Sequence, residues 1–203
     1  MNPQSPSEKA QYLVTSLEEN GQSDYIGESI SQLEHCLQAA NQAKTSGAKD
    51  ELIIAALLHD IGQIAPLEST KAARMTLKNS TEDLGRVGHE MIGAEFLRAL
   101  GFSRNVCHLV GSHVAAKRYL TAVNNSYWDS LSSASKKSLE CQGGPFKGAE
   151  LIAFEQDPLR DEMVAMRHWD DAAKVEGIKD STPRPGAYFD MIRAHLQEQE
   201  VAC

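Results

Sequence analysis

Apolar side chains recur at helical spacing along most of the chain, and Gly, Pro and polar residues separate the apolar segments. The stretch from Ser5 through Pro6 to Glu8 is typical of a capped helix start, and this first helix is expected to stop near Gly21. No segment of the sequence shows a convincing alternation of strand type. The pattern therefore predicts an all-α fold, with one domain over residues 1–203.

Further helices are predicted by the same apolar spacing. They lie, in chain order, from about Leu33 to Ala40, from Gly88 to Gly101, from Ser103 to about Asn124, from Ser132 to Glu140, around Leu151, from Pro158, and from Tyr188 to Leu196. Residues 65–84 differ, because they are polar and only weakly periodic. There, Lys71, Arg74 and Lys78 are spaced as one basic face of a poor helix, which predicts a surface excursion.

One segment is apolar on nearly all sides instead of on one face. It runs from Leu52 to Leu58, ends in the adjacent pair His59 and Asp60, and is expected to be terminated by Gly62 and Pro66. Burying an imidazole and a carboxylate is unfavourable unless a cation lies beside them. An aspartate can place its two oxygens on two metal ions, so the pair favours a two-metal site. For this segment alone, a second interpretation stays open, in which His59 is a hydrogen-bonded core residue beside an aspartate at the helix end.

The composition bounds the class of protein. At 203 residues, with 41% hydrophobic and 24% charged residues, the chain is long enough for one soluble globular domain, and no apolar run reaches membrane-spanning length. The net charge of -8 argues against nucleic acid and anionic membranes as general partners. A local basic pocket can still bind a small anion.

Cysteine usage indicates the compartment. The N-terminus has no charged segment followed by an apolar core, and the cysteines lie far apart without a CxxC pair. They are Cys36, Cys107, Cys141 and Cys203. We therefore expect free thiols and a cytoplasmic, reducing location.

Six side chains of metal-ligand type follow one another along the predicted helices: His35, His59, Asp60, His89, His113 and Asp170. One ion cannot use four imidazoles and two carboxylates and still leave an open position for a substrate, so the set favours two ions. For His35 alone, which lies near the edge of an apolar stripe, a packed core residue is the competing interpretation. The remaining histidines, His108, His168 and His195, are assigned to structure.

The order H…HD…D resembles the signature of the HD-domain superfamily, whose helices place these residues around a metal. The resemblance implies an HD-domain helical bundle. Asp170 and Asp171 are adjacent, and only one of two neighbouring residues is expected to point inward from a helix. Trp169 and the match to related sequences favour Asp170 as the ligand and Asp171 as a solvent-facing residue or a partner of the ligands.

A more specific resemblance covers nearly the whole chain. The segments that carry it are 24–28, 32–35, 113–120, 134–144 and 167–171, together with the His59-Asp60 pair. They resemble the PhnZ-type HD-domain oxygenases, mixed-valent diiron enzymes related to myo-inositol oxygenase. The resemblance implies two Fe ions, Fe(II) and Fe(III), and O2 as co-substrate in the cleavage of the carbon–phosphorus bond of a 1-hydroxyphosphonate.

The resemblance also implies a small organophosphonate as the partner. The candidates are 1-hydroxy-2-(trimethylammonio)ethylphosphonate, which would yield glycine betaine and phosphate, and the related 2-amino-1-hydroxyethylphosphonate. Gln63 departs from the amine-phosphonate relatives, which have a histidine at this position. A glutamine can hydrogen-bond a phosphonate oxygen but carries no charge.

Ligand roles follow from the resemblance residue by residue. It implies that one iron is held by His35, His59, Asp60 and Asp170. It implies that the other is held by Asp60, His89 and His113, with Asp60 bridging the two. The first iron is then expected to orient the substrate, and the second to keep open positions for O2.

Two further groups of residues are implied to surround the substrate. Tyr25 and Glu28, the catalytic candidates, match positions that cover the site and adjust when substrate arrives, and Glu28 is placed to meet a substrate cation. The phosphonate-binding candidates are Lys117, Ser135, Ser138 and Arg167, with Gln63 beside them. Taken one at a time, Lys117 is equally compatible with a solvated helix end, Ser135 and Ser138 with a helix surface, and Tyr25 with ordinary packing.

Two other functions compete with the oxygenase. Most HD-domain proteins hydrolyse phosphate esters with a metal-bound water, so a metal-dependent phosphohydrolase is the main alternative. A non-catalytic module that senses a phosphonate is the second, although a sensor has no need of six metal ligands.

Overall fold

The computed structural model describes residues 3–25, 27–65, 73–76 and 83–202. Its α-helices are α1 Pro6–Asn20, α2 Gln32–Thr45, α3 Asp50–Leu58, α4 Ile61–Ile64, α5 His89–Leu100, α6 Arg104–Val123, α7 Asn125–Ser130, α8 Ser133–Cys141, α9 Ala149–Glu155, α10 Arg160–Ala172 and α11 Phe189–Ala202. Its other elements are the strands β1 Arg74–Thr76 and β2 Asp83–Arg86 and the 3-10 turns Lys179–Ser181 and Pro185–Tyr188. The prediction of an all-α fold is confirmed.

Helix α3 lies at the centre of the fold. Its residues 53–58 are all buried, and it packs against α2, α6, α10 and α11. A helix that contacts neighbours on several sides needs apolar residues all around, which this sequence provides. The buried side chains around α3 form the main hydrophobic cluster of the described residues. The His59-Asp60 pair follows directly where this core helix ends.

The end of α3 differs from the prediction. The helix stops one residue before His59, and α4 begins one residue after Asp60, whose φ of -100° and ψ of 14° depart from helical geometry. The predicted termination at Gly62 is wrong, because Gly62 lies inside α4, and Pro66 lies outside the described residues. A Cβ at Gly62 would lie 2.0 Å from the carbonyl oxygen of His89. The glycine is therefore required by the close approach of the α4 and α5 backbones.

The segment predicted as a poor amphipathic helix contains a β-hairpin instead. Strands β1 and β2 pair antiparallel, with Arg74 opposite Arg86. The Arg74 guanidinium donates to the Asp83 carboxylate, with an Nε–Oδ2 distance of 2.8 Å. Strands of three and four residues are too short for an alternating pattern to be visible in the sequence. Lys71 and Lys78 lie outside the described residues.

Helix boundaries follow most of the predicted caps. The Ser5 hydroxyl accepts a hydrogen bond from the Glu8 amide, and the Glu8 carboxylate accepts one from the Ser5 amide. Helix α5 ends at Gly101, which adopts a left-handed φ of 91°. Helix α7 was not predicted, and it begins after Asn124, where the sequence indicated only a turn.

Free thiols are observed at three cysteines. Cys36 and Cys107 are buried and Cys141 is exposed, while Cys203 lies outside the described residues. None of the described helices combines the length and the apolar character needed to cross a membrane. A single domain over residues 1–203 and a cytoplasmic location stay predictions.

Replacing Gly62 by Ala should lower the free energy of unfolding by about 1 to 3 kcal/mol, because the added methyl group meets backbone atoms of α5. Gly186→Ala is the matched control, since a Cβ there meets nothing within 4 Å, and it should change that free energy by less than about 0.5 kcal/mol. Guanidinium chloride titrations measure both. Equal stability of the two variants would contradict the close contact of α4 with α5.

Candidate metal centre and substrate cavity

Six buried side chains form two groups beside the end of α3. Cluster 1 consists of His35, His59 and Asp170, and cluster 2 consists of Asp60, His89 and His113. Within each cluster, one possible ligand atom of every residue lies within 4.8 Å of the other two. These are the six metal-ligand candidates of the sequence, and the structure brings all of them together.

The ligand candidates come from five parts of the chain. They are His35 in α2, the His59-Asp60 pair between α3 and α4, His89 at the start of α5, His113 in α6 and Asp170 near the end of α10. Helices α2, α6 and α10 pack on α3, and α5 packs on α4 and α6. The packing of apolar side chains around α3 therefore fixes the distances among the ligand candidates.

The four imidazoles of the two clusters are oriented in the same way. Each places Nδ1 near a backbone carbonyl oxygen: His35 at 2.9 Å from Ala173, His59 at 2.8 Å from Ala56, His89 at 3.2 Å from Arg86 and His113 at 2.9 Å from Val110. A ring that donates its Nδ1–H to a carbonyl keeps the Nε2 lone pair for a metal.

The Nε2 atoms then meet in pairs. Those of His35 and His59 are 2.9 Å apart, and those of His89 and His113 are also 2.9 Å apart. Two lone pairs at this distance repel each other unless a proton or a metal ion lies between them. Because a carboxylate accompanies each pair, a metal ion fits both clusters.

Asp60 is shared by the two clusters. Its Oδ1 atom lies 3.3 Å from Nε2 of His89 and 3.6 Å from Nε2 of His113. Its Oδ2 atom lies 3.9 Å from Nε2 of His35 and 3.8 Å from Nε2 of His59. Each oxygen of one carboxylate thus faces a different cluster, as a ligand common to two ions requires.

Asp170 joins cluster 1, whereas Asp171 does not. The Oδ1 atom of Asp170 lies 3.3 Å from Nε2 of His35, and its Oδ2 atom accepts a hydrogen bond from Nη1 of Arg167 at 2.8 Å. Asp171 instead accepts from Nε and Nη2 of Arg167 and from the Tyr127 hydroxyl. Arg167 therefore fixes the orientation of Asp170.

The electrostatics of cluster 2 suit a metal site. Burial alone would raise the pKa of Asp60, but the imidazoles of His59, His89 and His113 hold that pKa well below its usual range, so the carboxylate is ionised. Burial, assisted by His89, lowers the pKa of His113 to about 3. Burial opposes protonation of His89, yet its hydrogen bond with Asp60 raises its pKa. Metal binding would displace that proton.

One cavity opens on both clusters. The seven proposed substrate-contacting residues all line it: Tyr25, Glu28, Gln63, Lys117, Ser135, Ser138 and Arg167. Asp60, His89, His113 and Asp170 line the same cavity. The structure therefore places the predicted substrate residues beside the ligand candidates, although they come from opposite ends of the sequence.

Lys117 is a buried cation of this cavity. It is 3% exposed, and its ammonium donates to the Ser138 hydroxyl at 2.8 Å. Burial, followed by the nearby Arg167, lowers the pKa of Lys117 to about 7. An anion entering the cavity would stabilise the charged form of this side chain.

Tyr25 and Gln63 make contacts at the edge of the clusters. The Tyr25 ring stacks on the His35 ring, with 3.8 Å between the ring centroids and 13° between the planes. Burial, followed by the carboxylate of Asp170, raises the pKa of Tyr25, so the phenol is neutral. Gln63 accepts a hydrogen bond at Oε1 from the Arg86 amide at 2.9 Å, which leaves its amide nitrogen as a donor.

Two residues around the cavity were missed by the sequence interpretation. Tyr127, in the unpredicted helix α7, accepts a hydrogen bond from Arg167, and no local sequence pattern predicts this contact. Lys174 lines the cavity and lies four residues after Asp170, a helical spacing that indicates the same face.

The histidines assigned to structure lie outside both clusters, as His108 pairs with Asp157 and His195 accepts from the Ser103 amide.

The family model of the HD domain matches residues 33–142. This range contains the His-Asp pair at the end of α3 and seven further ligand or substrate candidates from α2 to α8. The helical architecture around the pair agrees with the match. The chain therefore belongs to the HD-domain family.

Individual relatives cover most of the chain. It is 43% identical to hydroxymethylphosphonate dioxygenase of Gimesia maris over 174 residues, which cover 86% of this chain and 82% of that protein. It is 40% identical to 1-hydroxy-2-(trimethylamino)ethylphosphonate dioxygenase (glycine-betaine-forming) of Leisingera caerulea over 154 residues, 76% of this chain and 74% of that protein. An uncharacterized protein of Acanthamoeba polyphaga mimivirus is 37% identical over 163 residues, 80% and 71% of the two chains. Within the HD-domain family, the chain is thus similar to phosphonate dioxygenases.

Single substitutions should remove metal cluster by cluster. Asp60→Ala should lower the metal content of both clusters, whereas His59→Ala or His113→Ala should empty mainly its own cluster, because only Asp60 faces both. His108→Ala is the control, since this exposed imidazole pairs with Asp157 away from the clusters. Elemental analysis gives the metal content per chain. Wild-type metal content in Asp60→Ala would contradict the shared carboxylate.

Proposed function

We propose that this chain is an O2-dependent diiron oxygenase that cleaves the carbon–phosphorus bond of a small 1-hydroxyphosphonate. The observation that carries the proposal is the pair of clusters joined by Asp60, which open on a cavity lined by lysine, arginine and serine side chains. The similarity to two phosphonate dioxygenases supports the same reaction. A 1-hydroxyphosphonate offers its hydroxyl and phosphonate oxygens as donors to such a cluster pair.

The ligand set suits two iron ions. Imidazole nitrogens and carboxylate oxygens are donors that iron accepts in both the Fe(II) and the Fe(III) state. The chemistry that the ions would supply is coordination of the substrate oxygens and activation of O2. We assign cluster 1 together with Asp60 to one ion and cluster 2 to the other.

The overall reaction balances with O2 as the only oxidant. A 1-hydroxyphosphonate, R–CH(OH)–PO3 with two negative charges, and O2 give a carboxylate R–COO−, hydrogen phosphate and a proton. The carbon–phosphorus bond breaks, the carbon is oxidised to the carboxylate level, and O2 is reduced. With 1-hydroxy-2-(trimethylammonio)ethylphosphonate the carboxylate is glycine betaine, and with 2-amino-1-hydroxyethylphosphonate it is glycine.

The phosphonate is proposed to bind between Lys117 and Arg167, with the hydroxyls of Ser135 and Ser138 and the amide of Gln63 as further donors. A dianion that leaves water needs cations and hydrogen-bond donors in place of its hydration shell. The hydrogen bond from Lys117 to Ser138 holds the ammonium in place before the anion arrives.

Tyr25 and Glu28 are proposed to close the site over the substrate. The Tyr25 ring covers His35 of cluster 1, so it excludes water from that side and has to adjust when a substrate approaches. The Glu28 carboxylate is suited to a substrate ammonium, and the face of Tyr25 adds a cation–π contact of about 0.5–2 kcal/mol.

A metal-dependent phosphohydrolase is the competing function, because a two-metal site can also activate water for attack on a phosphate ester. The relatives of known reaction that match this chain over three quarters of its length are dioxygenases. The oxygenase is therefore the function that we propose.

Oxygen should be a stoichiometric substrate. In air, the iron-loaded protein should consume O2 and release phosphate from a 1-hydroxyphosphonate in equal amounts, and strict removal of O2 should stop phosphate release. His108→Ala, with an intact site, should behave like the wild type. An O2 electrode and a phosphate assay on the same sample measure both quantities. Undiminished phosphate release without O2 would support the hydrolase.

Lys117 should give the pH profile of kcat/KM an alkaline limb. The pKa of Lys117 is lowered to about 7, so the charged form that attracts the phosphonate is lost as the pH rises through about 7, and kcat/KM should fall. Lys117→Arg retains its charge throughout this range, and its profile should lack that limb whatever its overall activity. Steady-state kinetics between about pH 6 and pH 9 distinguish the two. The same alkaline limb in both proteins would contradict the role of Lys117.

A further inference from the structure

Lys174 is a third cation in the cavity, beside Lys117 and Arg167. It follows the end of α10 and is neither a ligand candidate nor one of the phosphonate-binding residues proposed above, although it contacts one of them, Ser135. Its side chain is only 13% exposed. An ammonium withdrawn this far from water needs compensating groups around it.

The contacts of Lys174 are of the kind that bind a cationic ligand. Its Nζ atom lies 3.4 Å from Oε1 of Glu28 and 5.9 Å from the centre of the Tyr25 ring. It also lies 3.3 Å from Oγ of Ser132 and 3.2 Å from Oγ of Ser135. A carboxylate and an aromatic face together are what a substrate ammonium would seek. The protein's own ammonium occupies that environment.

Glu28 depends on this neighbour. Its side chain is 19% exposed, and its buried Oε1 atom makes no hydrogen bond within the described part of the chain. The contact with Lys174 is therefore an ion pair without a strong hydrogen bond. Removing either partner leaves the other charge uncompensated in the cavity.

Phosphonates with and without a cationic group affect this ion pair differently. A phosphonate without a cationic group, such as hydroxymethylphosphonate, adds negative charge to the cavity and leaves Glu28 paired with Lys174. A phosphonate with an ammonium group brings a second cation, which competes with Lys174 for the same carboxylate. The ion pair thus lowers the advantage that Glu28 would give to a cationic substrate.

We propose that Lys174 is a specificity-determining residue, which as the internal counterion of Glu28 sets how strongly the cavity selects 1-hydroxyphosphonates with an ammonium group over those with none. This inference rests on the proposed oxygenase function. With Lys174 present, Glu28 is neutralised and the selection is weak. Without Lys174, Glu28 is an unpaired carboxylate that favours a cationic substrate.

The test is the ratio of kcat/KM for 2-amino-1-hydroxyethylphosphonate to that for hydroxymethylphosphonate, because a loss of folded or iron-loaded protein cancels in a ratio. Lys174→Met should raise the ratio by about tenfold, and Glu28→Gln should lower it by a similar factor, as expected for one desolvated charge pair. The double variant should return to within about threefold of the wild type. Lys179→Met is the matched control, since it removes an exposed lysine five residues away, and it should leave the ratio unchanged.

The outcomes separate the two proposals. If the wild type consumes no O2 with either phosphonate, the proposed function fails. If the wild type is active and the ratio stays constant in Lys174→Met, or moves equally in Lys179→Met, only the role of Lys174 is overturned. Where one compound is not turned over, the ratio of the two compounds' association constants replaces the ratio of their kcat/KM values. If Lys174→Met does not fold, Lys174→Gln, which also removes the charge but keeps a polar end beside Ser132 and Ser135, should raise the ratio by a similar factor, and an unchanged ratio there would overturn the role of Lys174.

Discussion

A buried carboxylate surrounded by four imidazoles is the constraint on which the rest of this structure depends. The Nε2 atoms meet in pairs at 2.9 Å, and each oxygen of Asp60 faces one pair. Without cations, this arrangement would combine lone-pair repulsion with the desolvation of a charge. Two metal ions would replace this repulsion by coordinate bonds from the imidazoles and the carboxylates.

The fold positions this carboxylate and these imidazoles by packing other helices around one apolar helix. Helix α3 packs against α2, α6, α10 and α11, and it ends where the His59-Asp60 pair begins. Backbone carbonyls orient the imidazoles, and Arg167, which also lines the cavity, orients Asp170 while it is itself held by Asp171 and Tyr127. The cavity opens on both clusters. Tyr25 and Glu28, the cover that we propose for the site, precede the helix that carries His35, the first of the ligand candidates.

Much of this could be predicted from the sequence, because the signals are local. An apolar run that ends in His-Asp predicts a buried helix from a few neighbouring residues. Serines and glycines at helix ends, such as Ser5 and Gly101, likewise predict where those helices begin or end. The hairpin and α7 are too short to carry a period. The close approach at Gly62 and the pairing of Glu28 with Lys174 depend on contacts between distant parts of the chain, which no local pattern records.

The most direct measurement of the central claim is the source of the oxygen in the products. The iron-loaded protein is allowed to react with a 1-hydroxyphosphonate under 18O2 in ordinary water, and the carboxylate and the phosphate are analysed by mass spectrometry. We predict that 18O from the gas appears in the products, the carboxylate first of all, because cleavage of the carbon–phosphorus bond consumes O2. Release of an alcohol instead of the carboxylate, together with phosphate whose new oxygen comes only from water, would contradict the oxygenase and indicate hydrolysis at this centre.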